Sequence, residues 1–555
     1  MFVLPALRRA VPCLFLLGVA GSAASCGADD GGAPAPPAAT GGVSGTGGVA
    51  GTGAAGNSGT ANEPGRGGAS GESGATFCGA VVSRGIEGVT LTGARLVPAE
   101  SGKPAYCLVS GTLEGALNFQ VALPDDWNRK VLFIGGGGFD GVIPEIGVLG
   151  AGGLVAGYAV IANDSGHQGM GEMPSDDASW ALDDEKAVTR FAETSTHEVL
   201  APATAIVRAR YGGEIDKVYF EGCSNGGREA LIAAQRWPHD FDGIIARAPA
   251  LNFTGSMTAF QRNAQLVHAL GGSLSLAKLT LLAEAELAAC DEDDGVSDGI
   301  IGRPYDCHFD PTTLLCDGAT DDTCLSELEL TTLNGIRSAT PLPYAQRDAI
   351  AESAAWGVGH EADESWRVWF FGSGGPSVQS IFQDEFIKYF ITKDPSAETL
   401  STSLAEYAAE MEEASTLLDA TNPDLSDFRA SGGKLILWHG LADPALAAAE
   451  TAGYYERAVT HAGGRAEADE FVRYFAAAGV YHCIGGPGAD IVDLLGSLDA
   501  WISDGTAPDH LIATSGPFST RPTPISRPLC AYPSYPRYVG SGDPNVAASY
   551  SCVQP

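Results

Sequence analysis

The sequence is short of basic residues. Lys and Arg together number 32 against 68 Asp and Glu, which gives a formal net charge of −36 over 555 residues. No segment is rich in Lys or Arg, so the chain lacks the basic patch that binds nucleic acid or an anionic membrane surface. A field of this sign repels both partners and favours solubility. The sequence therefore predicts a protein with no nucleic-acid partner.

Long hydrophobic runs are also missing. The apolar run Ala10–Ala20 follows two arginines and is too short to anchor the chain in a bilayer. Basic residues, a short apolar run and then small residues are typical of an export signal, which we predict over residues 1–25. The cysteine in "GSAASC", Cys26, is typical of a lipoprotein signal, although Ala23 stands where such signals usually carry leucine. Simple secretion and a lipoprotein anchored at the outer cell surface through Cys26 both stay open, and no transmembrane segment is predicted.

Large apolar side chains are almost absent from residues 26–77, which begin "CGADDGGAPAPPAATGG". A segment of Gly, Ala, Ser, Thr and Pro cannot bury enough surface to offset its ordering entropy. We therefore predict a disordered tether that would separate a lipid anchor from the folded part. A plain disordered leader is the alternative.

The twelve cysteines include no C-x-x-C pair, which argues against a structural zinc site or a thioredoxin-like centre. Cys13 lies in the predicted signal and Cys26 is the first residue of the predicted tether, so ten remain in the folded part. An even number in an exported chain predicts disulfide bonds. Proximity favours three local pairs, 290–307, 316–324 and 530–552, whereas the sequence does not fix the pairing in general.

From residue 117 onward, apolar runs suited to buried strands alternate with helical patterns. The predicted strands are 130–138, 157–164, 216–222, 241–249 and 433–440, and the predicted helices are 185–212 and 226–237. The alternation indicates an α/β fold with a parallel sheet, whose active-site loops follow the carboxyl ends of the strands.

The alternation stops between residues 251 and 422, a stretch rich in Asp, Glu, Thr and paired cysteines. The strand signal then resumes at Lys434. An insertion of this size between two strands of one sheet predicts a lid domain over 251–422. The catalytic domain would then comprise 78–250 and 423–555.

A candidate nucleophile lies in "GCSNG", where Ser224 fits the pattern G-x-S-x-G between a predicted strand and a predicted helix. A sharp strand-to-helix turn tolerates little beyond glycine near the serine, and it lifts the hydroxyl above the sheet edge. Serine alone is a poor nucleophile, so it needs a base and an orienting acid. The alternative is a glycine-rich turn without catalytic function.

The acid and base should follow the serine in that order. Asp443, on the loop after "KLILWHG", is the acid candidate, and a turn-forming Asp before proline is the alternative. Among ten histidines, His482 lies on a glycine-flanked loop in the right chain order. His439 is too close to the strand end and to Asp443 to reach the serine.

The candidate nucleophile and the candidate base each have a cysteine as a direct neighbour in the sequence. Cys223 precedes Ser224 and Cys483 follows His482. A disulfide between these cysteines would tie the nucleophile turn to the histidine loop and hold base and nucleophile within reach. It would close a loop that the chain-entropy model values at roughly 5–6 kcal/mol.

With Cys-Ser, an intervening Asp and His-Cys, the chain resembles the tannase and feruloyl esterase family over most of residues 78–555. The resemblance implies an α/β-hydrolase fold with a large inserted lid, and a serine esterase with Ser224, Asp443 and His482 as its triad. It also implies five disulfides, Cys78–Cys107, Cys223–Cys483, Cys290–Cys307, Cys316–Cys324 and Cys530–Cys552. Relatives often carry Thr or Glu after the serine, where this chain has Asn225.

An oxyanion hole needs two backbone N–H donors aimed at the developing negative oxygen. Asn225 can supply one. The second can come from "GGGG", residues 135–138, which follows an early strand and lets the backbone approach a substrate closely. Any of the four glycines could donate, and Gly138 is our candidate.

The stretch "CDEDDGVSDGII" places the oxygen donors Asp291, Asp294 and Asp298 in a short turn. Its spacing is not that of an EF-hand, but several carboxylates in one turn repel one another unless a cation lies among them, and hard oxygen ligands favour Ca²⁺. A solvated acidic turn is the alternative. The resemblance favours structural calcium, with main-chain carbonyls of Val296 and Ile300 as further ligands.

The predicted lid also carries an aromatic cluster: Trp366, Trp369, Phe370, Phe371, Phe382, Phe386, Tyr389 and Phe390. Most of these side chains should form the lid core. The resemblance implies that one or two of them wall a slot for a flat aromatic acyl group.

The motifs predict an exported serine ester hydrolase that works through an acyl-enzyme without an organic cofactor, and the resemblance implies that its substrates are esters of aromatic acids (feruloyl, galloyl or terephthalate-type). A non-catalytic surface protein that uses the same fold for adhesion or ligand binding is the alternative from another class. Transfer of the acyl group to an alcohol is a third.

Overall fold

The computed structural model describes residues 73–100 and 102–555. The predicted signal over 1–25 and the predicted tether up to residue 72 lie outside the described residues. In the described part of the chain, no helix combines the length and apolarity needed to cross a membrane.

The described residues form α-helices and β-strands in alternation over most of the chain. The helices are α1 (Gly74–Arg84), α2 (Ile146–Leu149), α3 (Ala151–Val155), α4 (Glu185–Thr189), α5 (Ser195–Tyr211), α6 (Asn225–Arg236), α7 (Phe253–His268), α8 (Leu276–Cys290), α9 (Glu327–Ile336), α10 (Glu364–Phe370), α11 (Val378–Phe386), α12 (Ala408–Leu418), α13 (Ser426–Ala430), α14 (Ala448–His461), α15 (Arg465–Ala468) and α16 (Leu494–Asp504). The strands are β1 (Thr90–Val97), β2 (Tyr106–Leu113), β3 (Leu117–Pro124), β4 (Lys130–Ile134), β5 (Ala159–Asn163), β6 (Lys217–Cys223), β7 (Gly243–Arg247), β8 (Thr340–Pro341), β9 (Glu352–Ser353), β10 (Lys434–Gly440), β11 (Val472–Ala477), β12 (His510–Thr514), β13 (Ser526–Cys530), β14 (Tyr535–Tyr538) and β15 (Tyr550–Val553).

A nine-stranded sheet in the order β1-β2-β3-β5-β4-β6-β7-β10-β11 forms the centre of the molecule. The pairs β1/β2, β2/β3 and β3/β5 are antiparallel, and the pairs from β5 through β11 are parallel. The predicted α/β class and its five predicted strands are thus confirmed. The antiparallel strands β1 to β3 were not predicted.

Both faces of the parallel part of the sheet are buried, which explains the continuous apolar runs of its strands. Side chains alternate between the two faces along β10: Leu435 and Leu437 join one core, whereas Ile436 and Trp438 join the other. The strands that precede the triad candidates are therefore held by packing against both of their faces.

Two predicted boundaries differ from the structure. The predicted strand over 130–138 ends at Ile134, because the four glycines after it form a loop in which Gly138 has a φ of 60°. The folded part was expected to start at Cys78, but α1 begins at Gly74. Ser73 caps this helix by accepting a hydrogen bond from the Thr76 amide, and Phe77 is buried.

Residues 251–422, here the inserted segment, connect β7 to β10, which lie side by side in the sheet. The segment is mostly helical, with only two two-residue strands among its described elements. Its core contains Trp366, Phe370 and Phe386, and it packs against Phe139 and Leu446 of the sheet domain. The segment therefore covers the loops at the carboxyl ends of the strands.

Candidate active site

Ser224 is the single residue between β6 and α6, and its backbone has φ 63° and ψ −123°. A non-glycine residue in such a conformation costs about 1–3 kcal/mol and persists only where its surroundings enforce it. The enforcement comes from the backbone: the Ser224 amide donates to the Arg247 carbonyl at 3.1 Å, and the Ser224 carbonyl accepts from the amides of Arg228 and Ala250. A Cβ at Gly222 would lie 2.3 Å from the Gly226 carbonyl oxygen, so the turn requires glycine there.

His482 and Asp443 are in direct contact. The His482 Nδ1 lies 2.7 Å from the Asp443 Oδ2, and the Asp443 side chain is fully enclosed. Its other oxygen accepts the amides of Ala445 and Leu446 at 2.7 and 3.0 Å. Burial acts to raise the pKa of Asp443, but the charges and hydrogen bonds of His482 and His439 outweigh it and hold that pKa well below its usual range. The carboxylate therefore stays ionised and can orient the imidazole.

His439 is a second histidine that contacts the same carboxylate, and this contact was not predicted. Its Nε2 lies 3.0 Å from the Asp443 Oδ2 and its Nδ1 lies 2.7 Å from the Thr451 Oγ1. Both ring nitrogens are thus occupied, so His439 has none to offer Ser224. The four-residue spacing in "HGLAD" was the only signal for this contact.

The described residues contain five disulfides, in the pairing that the resemblance implied. Cys223 and Cys483 are bonded with their Cα atoms 6.0 Å apart, across 260 residues of chain. Because Ser224 and His482 are the direct neighbours of these cysteines, the bond connects the turn that carries Ser224 to the loop that carries His482. The Ser224 hydroxyl has no hydrogen-bond partner within the described residues, and catalytic hydrogen bonds often tighten only when substrate is bound.

The glycine loop after β4 lies against the start of α6. The Gly135 amide donates to the Glu221 carbonyl at 3.0 Å and the Gly136 amide to the Glu229 carboxylate at 3.2 Å. Among the described residues, the amides of Gly137, Gly138 and Asn225 have no hydrogen-bond partner. A Cβ at Gly138 would lie 2.3 Å from the Ser175 carbonyl oxygen, so no side chain fits there. The Gly138 prediction stays a prediction, with Gly137 as the other loop amide available for an oxyanion.

Two half-buried aromatic side chains of the inserted segment border this site. The Trp369 ring lies 5.8 Å from the His482 ring, and Trp369 and Phe382 are parallel within 9° at 6.1 Å. Phe382 in turn contacts Phe139 beside the glycine loop, with the ring centroids 5.3 Å apart. Trp366, Phe370 and Phe386 are fully buried and belong to the core.

The acidic turn brings its three carboxylates close together. Asp291 accepts the backbone amides of residues 298–300, and Asp298 is ion-paired with Arg527. Burial, and next the charge of Asp298, raise the pKa of Asp294 to about 7. Within 73–100 and 102–555, no group of three or more His, Cys, Asp or Glu side chains has the spacing of a formed metal site. The calcium ligands therefore remain a prediction.

Comparison with known proteins gives a family match over nearly the whole described chain. The model of the family "Tannase and feruloyl esterase" matches residues 105–553. The mono(2-hydroxyethyl) terephthalate hydrolase of Piscinibacter sakaiensis is 32% identical over 517 residues, which cover 81% of this chain and 85% of that protein. A probable feruloyl esterase of Arthroderma benhamiae is 31% identical over 451 residues, 78% of this chain and 81% of that protein.

Solved structures share the fold. The crystal structure of feruloyl esterase B from Aspergillus oryzae superposes with a TM-score of 0.76 at 23% identity, covering 86% of this chain and 99% of that one. Tannin acyl hydrolase from Aspergillus niger superposes with a TM-score of 0.68 at 22% identity, covering 87% and 96%.

Proposed function

Because this chain belongs to the tannase and feruloyl esterase family and is an ester hydrolase, we propose that Ser224 is its nucleophile and that its substrates are esters of aromatic carboxylic acids. The fold is the α/β-hydrolase fold, as predicted. One observation carries the proposal: the His482–Asp443 contact of 2.7 Å is fastened to the serine turn by the Cys223–Cys483 bond.

In the proposed reaction, the Ser224 oxygen attacks the ester carbonyl while His482 takes its proton. Asp443 accepts a hydrogen bond from the His482 Nδ1–H, which leaves the Nε2 as the base and stabilises the imidazolium. The imidazolium then protonates the departing alcohol. Water, activated by the same histidine, cleaves the acyl-enzyme and restores the serine.

The negative oxygen of the tetrahedral intermediate would lie against backbone amides. Asn225 begins α6, so its N–H also carries the partial positive charge of a helix N-terminus. Gly138, or its neighbour Gly137, supplies the second donor. Removing one such donor typically lowers the rate by about 10²–10³-fold.

The acyl group would lie against the aromatic rings of the inserted segment, which would act as a lid. Trp369 lies next to His482 and its ring is nearly parallel to that of Phe382, and a flat conjugated acyl group can stack on such faces. A feruloyl esterase and a terephthalate monoester hydrolase stand among the relatives. We therefore propose feruloyl, galloyl or terephthalate-type esters as substrates.

A structural calcium ion fits the acidic turn in donor chemistry. Burial, and next the charges of Asp298 and Asp291, raise the pKa of Asp294, so a cation among the three carboxylates would relieve their mutual repulsion. We propose these carboxylates and the carbonyls of Val296 and Ile300 as ligands. The ion would supply stability to the inserted segment and no step of the reaction.

Export is consistent with five disulfide bonds, which persist in oxidising compartments. We propose that the protein is secreted, or held at the outer cell surface by a lipid on Cys26. Mass spectrometry of the mature N-terminus distinguishes these two forms.

A substrate panel with a matched pair of serine variants tests the proposed function. We expect the purified protein to hydrolyse at least one of methyl ferulate, methyl gallate and the terephthalate monoester. Ser224→Ala should lower the turnover by about 10⁴-fold or more. Ser497→Ala, which removes a hydroxyl on α16 that donates only to the Asp493 carbonyl, is the control.

A fluorophosphonate probe gives an independent answer. It should label wild type and Ser497→Ala and leave Ser224→Ala unlabelled. A folded protein that is neither labelled nor active on the panel would refute the proposal and favour a binding protein. Products that carry the acyl group on an added alcohol would identify a transferase.

A further inference from the structure

Four buried polar side chains form a connected group behind the proposed oxyanion amides: Asp140, Ser165, Asn225 and Glu229. The Asn225 Nδ2 donates to the Asp140 Oδ1 at 2.7 Å, and the Ser165 hydroxyl contacts both Asp140 and the Glu229 Oε1. None of these side chains has a role in the proposed proton transfers. The group therefore needs a different explanation.

Hydrogen bonds of Asp140 connect the two proposed oxyanion donors, the amides of Asn225 and Gly138. Asn225 carries the first amide, and its side chain is bonded to Asp140. The Asp140 amide in turn donates to the Gly137 carbonyl at 2.9 Å. In a planar trans peptide the C=O and the following N–H point in opposite directions. Holding the Gly137 carbonyl therefore fixes the direction of the Gly138 N–H.

The far end of the Asn225 side chain is fixed as well. Its Oδ1 accepts from the Arg228 Nε at 2.6 Å. Arg228 is fully buried and its other nitrogens donate to the carbonyls of Phe191, Ala192 and Leu418. The Asn225 side chain thus has one orientation, because both ends of its carboxamide are bonded.

Glu229 adds a second connection between the same two segments. Its Oε2 accepts the Gly136 amide, while the Gly136 carbonyl accepts the Gly226 amide at 3.1 Å. A side chain at position 136 does not fit between the two segments, since a Cβ at Gly136 would lie 2.8 Å from the Asp140 Oδ2. The glycine loop and the start of α6 are therefore joined at three points.

The contacts of Ser165 indicate that one of the two carboxyls carries a proton. A serine hydroxyl has one hydrogen to donate, yet Ser165 lies within hydrogen-bond distance of both Asp140 and Glu229. One carboxyl therefore donates to the Ser165 oxygen and is neutral. Burial, and next the charge of Glu229, raise the pKa of Asp140 well above its usual range, which is consistent with a protonated Asp140.

We propose that the side chains of Asn225 and Asp140 are positioning residues, which hold the amides of Asn225 and the glycine loop in the geometry that stabilises an oxyanion. The inference rests on the proposed function, since it assigns a role within that reaction. It predicts an effect on the transition state with little effect on the binding of the ester.

The variants Asn225→Ala, Asp140→Ala and Asp140→Asn, assayed on the best ester of the panel below their melting temperatures, test the inference. We expect Asn225→Ala and Asp140→Ala to lower kcat by about 10–100-fold, since a misplacement of about 1 Å costs on the order of 100-fold. KM should stay within about threefold of wild type. An arylboronic acid, which forms a tetrahedral adduct with the serine, should lose affinity in proportion to kcat.

Asp140→Asn gives a rescue that a merely structural role would not show. Its amide oxygen can accept from Asn225 and its NH₂ can donate to Ser165, as a protonated Asp140 does. We expect its kcat to exceed that of Asp140→Ala by at least tenfold. Gln235→Ala is the matched control, because it removes another bonded carboxamide of α6, ten residues from Asn225, that donates to the Ala420 carbonyl and the Tyr454 hydroxyl.

Three outcomes would overturn the inference: an unchanged kcat in Asn225→Ala, an equal loss in Gln235→Ala, or a loss confined to KM. If Asn225→Ala does not fold, the ratio of Asp140→Asn to Asp140→Ala decides. A wild-type protein as inactive as Ser224→Ala would refute the proposed function and this inference with it, whereas an active wild type with unaffected variants would refute the inference alone.

Discussion

His167 is a buried imidazole beside the glycine loop. It is 5% exposed, its ring stacks on Trp180 with the centroids 3.5 Å apart, and its Nε2 lies 2.8 Å from the Phe139 carbonyl oxygen. Burial lowers its pKa to about 4. The unfolded chain takes up a proton near pH 6.5, so the free energy of unfolding falls as the pH drops from about 6.5 to about 4.

His167→Gln should make the protein less sensitive to acid. Glutamine does not titrate and retains an N–H for the Phe139 carbonyl. The loss of unfolding free energy between pH 6.5 and pH 4 should shrink by up to about 3 kcal/mol, the equivalent of the lowered pKa. Urea unfolding at several pH values measures this. His239→Gln, an exposed site, is the control, and identical profiles for wild type and His167→Gln would contradict the prediction.

Trp369→Ala should affect aromatic esters selectively. Stacking on an aromatic ring contributes about 0.5–1.5 kcal/mol beyond the buried area, so we expect kcat/KM for methyl ferulate to fall by about tenfold. A short acetate ester, which has no acyl ring to stack, should lose much less, and Trp369→Phe should keep most of the activity. An equal loss on both esters would show that Trp369 only supports the fold.

The functional residues could be predicted from the sequence where a local sequence pattern marks them. Ser224 has its glycines and Asp443 its place after a strand, and the structure shows the expected contact between Asp443 and His482. Asp140 had no such signal. Its role depends on side chains that are 25 and 85 residues away in sequence, and no local pattern encodes contacts of that kind.

At the scale of elements, the Cys223–Cys483 bond joins two loops that otherwise depend on separate strands. Replacing both cysteines by alanine should lower stability by several kcal/mol in the chain-entropy account. Turnover should also fall sharply at temperatures where the variant remains folded, because the bond ties the loop that carries His482 to the turn that carries Ser224.

The matched control is the double alanine variant of Cys316 and Cys324, whose bond spans 8 residues. It should lose less stability, since the closed loop is shorter, and should keep its turnover. Peptide mapping without reduction verifies the remaining bonds. Full turnover in a folded variant without the Cys223–Cys483 bond would reject this account.

Chelation should lower the melting temperature through the acidic turn. A ligand that binds only the folded state stabilises it by mass action, so removing Ca²⁺ removes that contribution. We expect added Ca²⁺ to restore the melting temperature of wild type and to have little effect on Asp291→Asn. kcat measured below the melting transition should not change. If the purified protein contains no metal and EDTA leaves its melting unchanged, the turn is a solvated acidic loop.

Elements were predictable where burial is complete. All residues of β5 and nearly all of β10 are buried, and each reads as one apolar run. The strand β1 has no fully buried residue, so its sequence lacks both an apolar run and a clean alternation. Helix α1 was missed because Gly74–Thr76 continue the composition of the tether, and only Ser73 and Phe77 indicate the helix.

At the scale of the whole molecule, the net charge of −36 opposes compaction. Ions screen charges beyond a Debye length, which is about 30 Å at 0.01 M and about 10 Å at 0.1 M salt. We expect the melting temperature to rise between about 10 and 200 mM NaCl at pH 7.5, with EDTA present to separate this effect from calcium. Sorbitol of equal osmolarity controls for exclusion effects. A flat or falling melting temperature would show that local ion pairs outweigh the net repulsion.

The overall architecture followed from the order of elements. A parallel strand pattern interrupted by residues 251–422 predicts one sheet with an insertion, and β7 and β10 are neighbours in that sheet. The approach of Trp369 to His482 was not predictable, because it depends on how the inserted segment packs over the strand ends.

The order of the cysteines has a consequence for biosynthesis. Among the ten cysteines from Cys78 onward, joining them in the order in which they emerge would give Cys78–Cys107 and then pair Cys223 with Cys290, whereas Cys223 is bonded to Cys483. The nucleophile turn must therefore keep a free thiol while 260 further residues are made, or exchange a wrong partner for the right one. A host that only oxidises thiols will accumulate soluble but mispaired chains, and one that also catalyses disulfide exchange will yield the active enzyme.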